Sequence, residues 1–382
     1  MPYITELDEQ LIHSDFAIIF EGSHINPMAS NSASSFSKTP KLSILLATKD
    51  QATTLERCLQ GIQSQTFEDY ELIILNDGST DDTPQILERF KRLDPRIQLF
   101  NHGTPRGVIP SYKKLQEHAR GEFIWHAASD DFCVDKDFLA NGFKLFATAP
   151  QAAGFFCNTL RVMMPAGKPH GIWGTTGTAR YISSKAFLLQ FLRGKIVIPG
   201  CATVIRKDVF IKQGGFQEEA GALCDLLVNS KLGSSFGMIF TGRFSMHSTV
   251  YPPGGSFGSS FDPWQQLQHL AYLEAELRKS LQKRSLSFNE QWISFRYLYL
   301  GKFFGLEHQS RSARNNSTQR HNLRELSERI LTQYNLQLNQ FGIHSTENMS
   351  NRDFLFFPFR NPIRRFFARI KSKLFQSLDI SL

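Results

Sequence analysis

The feature that most constrains this chain is an alternation between two hydrophobic periods from Leu42 to Ala127. LSILLAT (42–48) is a continuous apolar run, the pattern of a strand buried on both faces. Residues 53–65 then place Leu55, Leu59 and Ile62 on one helical face, with Thr53 or Thr54 as cap. ELIILND (71–77), RIQLF (96–100) and EFIWHA (122–127) repeat the strand pattern, and residues 81–93 and 110–119 repeat the helical one. Strand and helix alternating at this spacing predict an α/β fold: a mostly parallel sheet flanked by crossover helices. Ligands of such sheets bind at the carboxyl ends of the strands.

Composition sets the boundaries. Residues 22–40 are rich in Ser, Asn, Gly and Pro, so an N-terminal extension and linker over 1–40 and a domain over 41–262 are expected. Beyond it Leu267, Leu270, Leu273 and Leu277 recur at three- and four-residue spacing, which predicts a helical C-terminal region over 263–382. Its polar stretch 307–322 reads as a loop. The formal net charge of +8 divides into −4 over 1–40, +3 over 41–262 and +9 over 263–382. The excess belongs to the C-terminal region, and without an RNA- or DNA-binding signature it does not mark a nucleic-acid partner.

From Asn361-Pro362 onward, Ile363, Phe366, Phe367, Ile370, Leu374 and Leu378 share one helical face, with Arg364, Arg365, Arg369, Lys371 and Lys373 largely elsewhere. Two readings stay open for 353–378: a helix packed on the domain, or peripheral contact with an anionic membrane surface. No stretch approaches the roughly 18–20 apolar residues of a spanning helix. MPYITELDEQ lacks the basic start of a signal peptide, and five widely spaced cysteines without a CxxC pair read as reduced, buried thiols. A cytoplasmic location is the expectation, with any membrane contact on the cytoplasmic face.

The chemistry-bearing residues gather after the expected strands. Thr48-Lys49-Asp50 closes the first, Asn76-Asp77-Gly78-Ser79 and Asp81-Asp82 follow the second, and Ser129-Asp130-Asp131 follows the fourth. Carboxylates at converging strand ends can accept from a base N–H or a ribose hydroxyl, or hold a divalent cation against a diphosphate. NDGS taken alone is equally an ordinary turn and helix cap.

In order, these segments resemble glycosyltransferase family 2. KLSILLATKDQATTLERCLQGIQSQTFEDYELIILNDGSTDDT (41–83) is similar to its opening, and GEFIWHAASDD (121–131) to its metal-binding segment. GGF (214–216) followed by Asp225 resembles its catalytic segment, and RFSMHSTVYPPGGS (243–256) its closing one. The resemblance covers about 41–262. It implies a GT-A-type, Rossmann-like sheet, a nucleotide-diphosphate sugar donor (UDP-linked), a Mg²⁺ or Mn²⁺ ion, and transfer with inversion to a glycan or lipid-linked acceptor, as in polysaccharide biosynthesis.

Position by position, the resemblance implies that Thr48 and Asp77 hold the nucleobase. Asp50 stands where the family often has Asn. Asp130 matches the metal-ligating aspartate of the DxD motif, whose first Asp is Ala128 here, and Asp131 acts behind it or through a water. His247 matches the His completing the metal or diphosphate site, and is alternatively a hydrogen-bonded surface histidine. Asp225 matches the general base, after Cys224 where the family has Glu; its other reading is a helix N-terminal Asp. Arg106, Gly107 and Lys113 lie in the nucleotide-contacting segment, although Lys113 is equally a solvated helix residue. Trp173 and Tyr181 lie where acceptor-facing loops fall and either stack on a sugar or pack.

A rival reading is a non-catalytic nucleotide-sugar-binding or scaffold subunit of a glycan assembly complex, motivated by Ala128. A nucleotidyltransferase is disfavoured, because no Gly-rich loop bearing Lys or Arg follows 42–48.

Overall fold

A computed structural model describes residues 39–163, 167–251, 262–281 and 317–341, together with Arg296, Tyr299, Leu300 and Phe304. The elements in chain order are β1 (Leu42–Thr48), α1 (Leu55–Gln63), β2 (Tyr70–Asn76), α2 (Thr83–Leu93), β3 (Ile97–Asn101), α3 (Val108–His118), β4 (Phe123–Ala128) and β5 (Phe132–Cys133). Next come α4 (Phe138–Phe146), β6 (Gly154–Met163), β7 (Lys168–Trp173), β8 (Arg180–Ile182), α5 (Ser184–Leu192), β9 (Thr203–Arg206) and α6 (Lys207–Lys212). Then follow α7 (Cys224–Phe236), β10 (Met238–Val250), α8 (Pro263–Leu281) and α9 (Ser317–Gln340). The expected extension over 1–40 lies almost wholly outside the described residues, and the basic, Phe-rich segment 353–378 lies entirely outside them.

The strands form one sheet in the order β3-β2-β1-β4-β9-β6-β10-β5, with β7 beside β6 and β8 beside β10. β1 pairs in parallel with β2 on one side and β4 on the other, and β2 with β3. Beyond β4 the sheet is mixed: β9 runs antiparallel to both β4 and β6, whereas β10 runs parallel to β6. The chain therefore leaves β1 toward β2 and β3, then returns to lay β4 on the opposite side. That reversal opens a crevice at the carboxyl ends of β1 and β4.

Alternation along β1 and β2 supplies apolar side chains to both faces of the sheet. On one face Leu45, Ile73 and Leu75 pack with Ile109, Tyr112 and Leu115 of α3. On the other, Leu42, Ile44, Leu46, Leu72 and Ile74 meet Leu55, Leu59 and Ile62 of α1 and Leu87 and Phe90 of α2.

The C-terminal helices share the first of these cores. Asp262 caps α8 by accepting the N–H groups of Trp264 and Gln265 at 2.7 and 3.0 Å. Leu267, Leu270, Leu273 and Leu277 are all buried with Ile198 and Leu226 of the preceding region. Inside this layer Glu274 is fully buried and takes Arg296, Arg278 at 2.8 Å and the Tyr334 hydroxyl at 2.7 Å. The expected loop over 307–322 is helical from Ser317, because Ile330, Leu331, Tyr334 and Leu338 give α9 an apolar face that packs on this core; its earlier part lies outside the described residues. Among the described residues, no helix is long and apolar enough to cross a membrane. All five cysteines are free and buried.

Candidate functional site

The register of the central strands brings the sequence-predicted residues to one end of the sheet. Thr48 aligns with Asn76, and Ala47 with Ala128, so the TKD, NDGS and SDD segments leave adjacent strands side by side. The first two are cross-braced. The Asp50 carboxylate accepts the Thr80 N–H at 2.7 Å, and its own N–H donates to Ser79 Oγ at 3.0 Å. Asp81 accepts the N–H of Ala52 at 3.0 Å. Gly78 adopts φ +70, and a Cβ there would lie 2.9 Å from Pro105, so only glycine closes this turn without strain.

Asp77 is the organiser of the loop after β3. It accepts the N–H groups of Arg106 and Gly107 at 2.9 and 2.8 Å and meets His102 Nδ1 at 2.8 Å. Burial works to raise its pKa, but these hydrogen bonds outweigh burial and hold the carboxyl below its ordinary range. Beside it, Thr48 is buried with its Oγ1 lacking a hydrogen-bond partner. The Arg106 side chain is exposed next to this loop, and Lys113 pairs with Glu218 at 2.7 Å on an exposed face of α3.

Asp130 and Asp131 follow β4. The Asp131 carboxylate accepts the Thr249 N–H at 2.7 Å, and the Thr249 hydroxyl donates to the Asp130 carbonyl. Burial pushes both carboxyls up, and for Asp131 the Asp130 charge adds to it. Arg57 and Arg161 attract Asp131 from a distance, but neither carboxylate has a Lys, Arg or His nitrogen within salt-bridge distance among the described residues. His247 stands on β10 opposite Phe132, its ring edge-on to that phenyl at 4.9 Å. Among the described residues no three His, Cys, Asp or Glu side chains form a metal-holding group. The donor set nevertheless fits a hard divalent cation of the Mg²⁺ type, which binds through one or two carboxylates and completes its shell with substrate phosphates and water.

Asp225 lies in the first turn of α7. It accepts the Leu226 N–H at 2.7 Å and the Gly200 N–H, yet burial pushes its pKa up to about 6. A Cβ on Gly200 would collide with Asp225 Oδ2, so the carboxylate is seated directly against this backbone. The next residue, Cys201, turns its thiol to Asp131. One short turn, Gly200–Ala202, thus touches both the expected base and the acidic pair. Its carbonyl at Cys201 is pinned by the Trp125 indole N–H at 2.6 Å.

Sequence reasoning missed His102 and Gly200. Each carries only a loop-type signal in the sequence, and each matters through a partner far away in the chain. Of the aromatic candidates, Tyr181 donates its hydroxyl to the Phe236 carbonyl at 2.9 Å, and Trp173 lies under Arg161.

Part of the chain is similar to known proteins. Residues 43–213 match the family model described as glycosyl transferase family 2. Bacillus subtilis EpsH, which bears a glycosyltransferase name, is 37% identical over 101 residues, 26% of this chain and 29% of the relative. The GalNAc(5)-diNAcBac-PP-undecaprenol beta-1,3-glucosyltransferase of Campylobacter jejuni is 33% identical over 93 residues, 24% of this chain and 30% of the relative. The matches therefore span under a third of these relatives' lengths. Among solved structures, S. aureus TarS 1-349 superposes with a TM-score of 0.54 at 14% identity, over 79% of this chain and 83% of that one. The likeness establishes the GT-A fold.

Proposed function

We propose that this chain, whose residues 43–213 carry a glycosyl transferase family 2 segment, is an inverting glycosyltransferase. It moves a sugar from a nucleotide-diphosphate sugar, UDP-linked, to a glycan or lipid-linked glycan acceptor. One observation carries the reading: two adjacent carboxylates, Asp130 and Asp131, sit at the β1–β4 crevice without an ion-pair partner among the described residues. Such a pair is costly unless a cation joins it.

In this reading Thr48, Asp50 and Asp77 line the nucleotide, with Arg106, Gly107 and Lys113 around it. Asp130 would hold Mg²⁺ or Mn²⁺, with His247 and Asp131 beside it. When bound, the ion would supply positive charge against the departing diphosphate. Asp225 takes the acceptor hydroxyl proton as that oxygen bonds to the anomeric carbon; the bond to the diphosphate breaks on the opposite face, inverting the centre. The name of the Campylobacter jejuni relative supports a polyprenol-linked acceptor. A cytoplasmic enzyme reaching such an acceptor would use residues 353–378 at an anionic membrane.

Calorimetry with UDP, GDP and their sugar conjugates tests the site. Binding of one nucleotide should weaken by at least about tenfold on EDTA treatment or in Asp130→Ala. Failure of every nucleotide diphosphate to bind in the presence of Mn²⁺ would overturn the reading. Tight binding without turnover on any acceptor would favour the non-catalytic subunit. For the tail, co-sedimentation with anionic vesicles should fall on truncation at residue 350.

A further inference from the structure

Arg161 is a cation whose hydrogen-bonding edge has no protein partner among the described residues. It lies on β6 with its guanidinium carbon 4.2 Å from the centre of the Trp173 ring. Its Nε is buried without a hydrogen-bond partner, and no ion pair is formed by it among the described residues. Burial lowers its pKa, and attraction to Asp131 opposes this only in part. Yet Asp131 does not use these N–H groups: Thr249, Ser248 and Cys201 already serve its oxygens.

The surroundings match an incoming anion. Arg161 stands in register with Ser248 of β10, one strand from the side chain that touches Asp131. Thr159, two residues back on the same face of β6, is fully buried with its Oγ1 unpartnered. Across the β6–β7 hairpin Arg161 faces Gly171, where an added Cβ would meet no atom within 4 Å. A guanidinium held 4.2 Å over an indole is packed without using up its N–H donors, which stay available to a bidentate acceptor. Leaving the buried Nε donor unused is costly, and a carboxylate or phosphate reaching the guanidinium would satisfy it.

We propose that Arg161, braced by Trp173, receives an anionic group of a substrate, a phosphate or a carboxylate, beside the acidic pair. The inference rests on the transferase reading for its place in a reaction. The anion belongs either to the acceptor, as an acidic sugar or a phosphorylated glycan, or to the donor diphosphate.

The test uses the full chain, Arg161→Met and Arg161→Lys, each checked for an unchanged melting curve. Tryptophan emission is followed while inorganic phosphate or D-glucuronate is added at constant ionic strength, and UDP binding with Mn²⁺ is measured by calorimetry. For an acceptor anion, the wild type responds saturably to phosphate or glucuronate, Arg161→Met does not, and UDP affinity is unchanged. Arg161→Lys keeps a weakened response and guards against misfolding of the Met variant. For a donor anion, UDP affinity falls at least about tenfold in Arg161→Met. The proposal is overturned if the anion response survives Arg161→Met, or if neither response nor UDP affinity depends on Arg161. A wild type that binds anions through Arg161 but no nucleotide would sink the transferase reading and leave this site standing.

Discussion

At Asp225 burial and hydrogen bonding oppose each other, and burial prevails, placing the carboxyl near pH 6. Its folded pKa is raised above the ordinary 3.8, so this group's contribution to stability is full below that value and is lost as pH rises through 6. A base must be ionised, so activity should rise tenfold per pH unit below about 6 and level off above it. Asp225→Asn should cost about 10²–10⁴ in turnover while leaving UDP affinity intact. The same variant should melt no lower than the wild type at pH 8, since it removes a buried charge. A large loss of melting temperature would instead mark Asp225 as structural. Gly200→Ala would push a Cβ into Asp225 Oδ2 and should lower turnover without changing nucleotide affinity.

Among the elements, the loops after β1, β2 and β3 act as one braced unit centred on Asp77. Asp77→Ala removes charge-assisted bonds to two backbone N–H groups and should cost about 1.5–3 kcal/mol in urea denaturation. It should also weaken nucleotide binding, because the 102–107 loop loses its anchor. Unchanged values of both would refute this account. The elements from β1 to β4 were legible in the sequence because short, mostly apolar runs alternate there with amphipathic helices. The mixed half was not: whether β9 and β10 run with or against β6 depends on pairing across the sheet, which no local period encodes.

For the molecule as a whole, the buried Glu274 network ties the C-terminal helices to one another, and α8 packs them against the Glu218–Leu223 turn that leads into Asp225. Arg296→Met leaves the Glu274 charge under-compensated and should destabilise by about 3–5 kcal/mol. Equilibrium denaturation measures this, and transfer activity should fall with it as the turn before α7 loosens. An unchanged midpoint would mean that the network is dispensable.

The sequence by itself determined the parallel half of the sheet, the acidic residues at its strand ends and the apolar face of α8, since these follow from local periodicity and residue type. Only the tertiary structure decided that Asp77 clamps a loop through His102, Arg106 and Gly107, that Gly200–Ala202 touches both Asp225 and Asp131, and that Arg161 lies on Trp173 without a carboxylate. Those relations join residues from separate segments, and their energies come from burial and hydrogen bonds that exist only once the sheet has assembled.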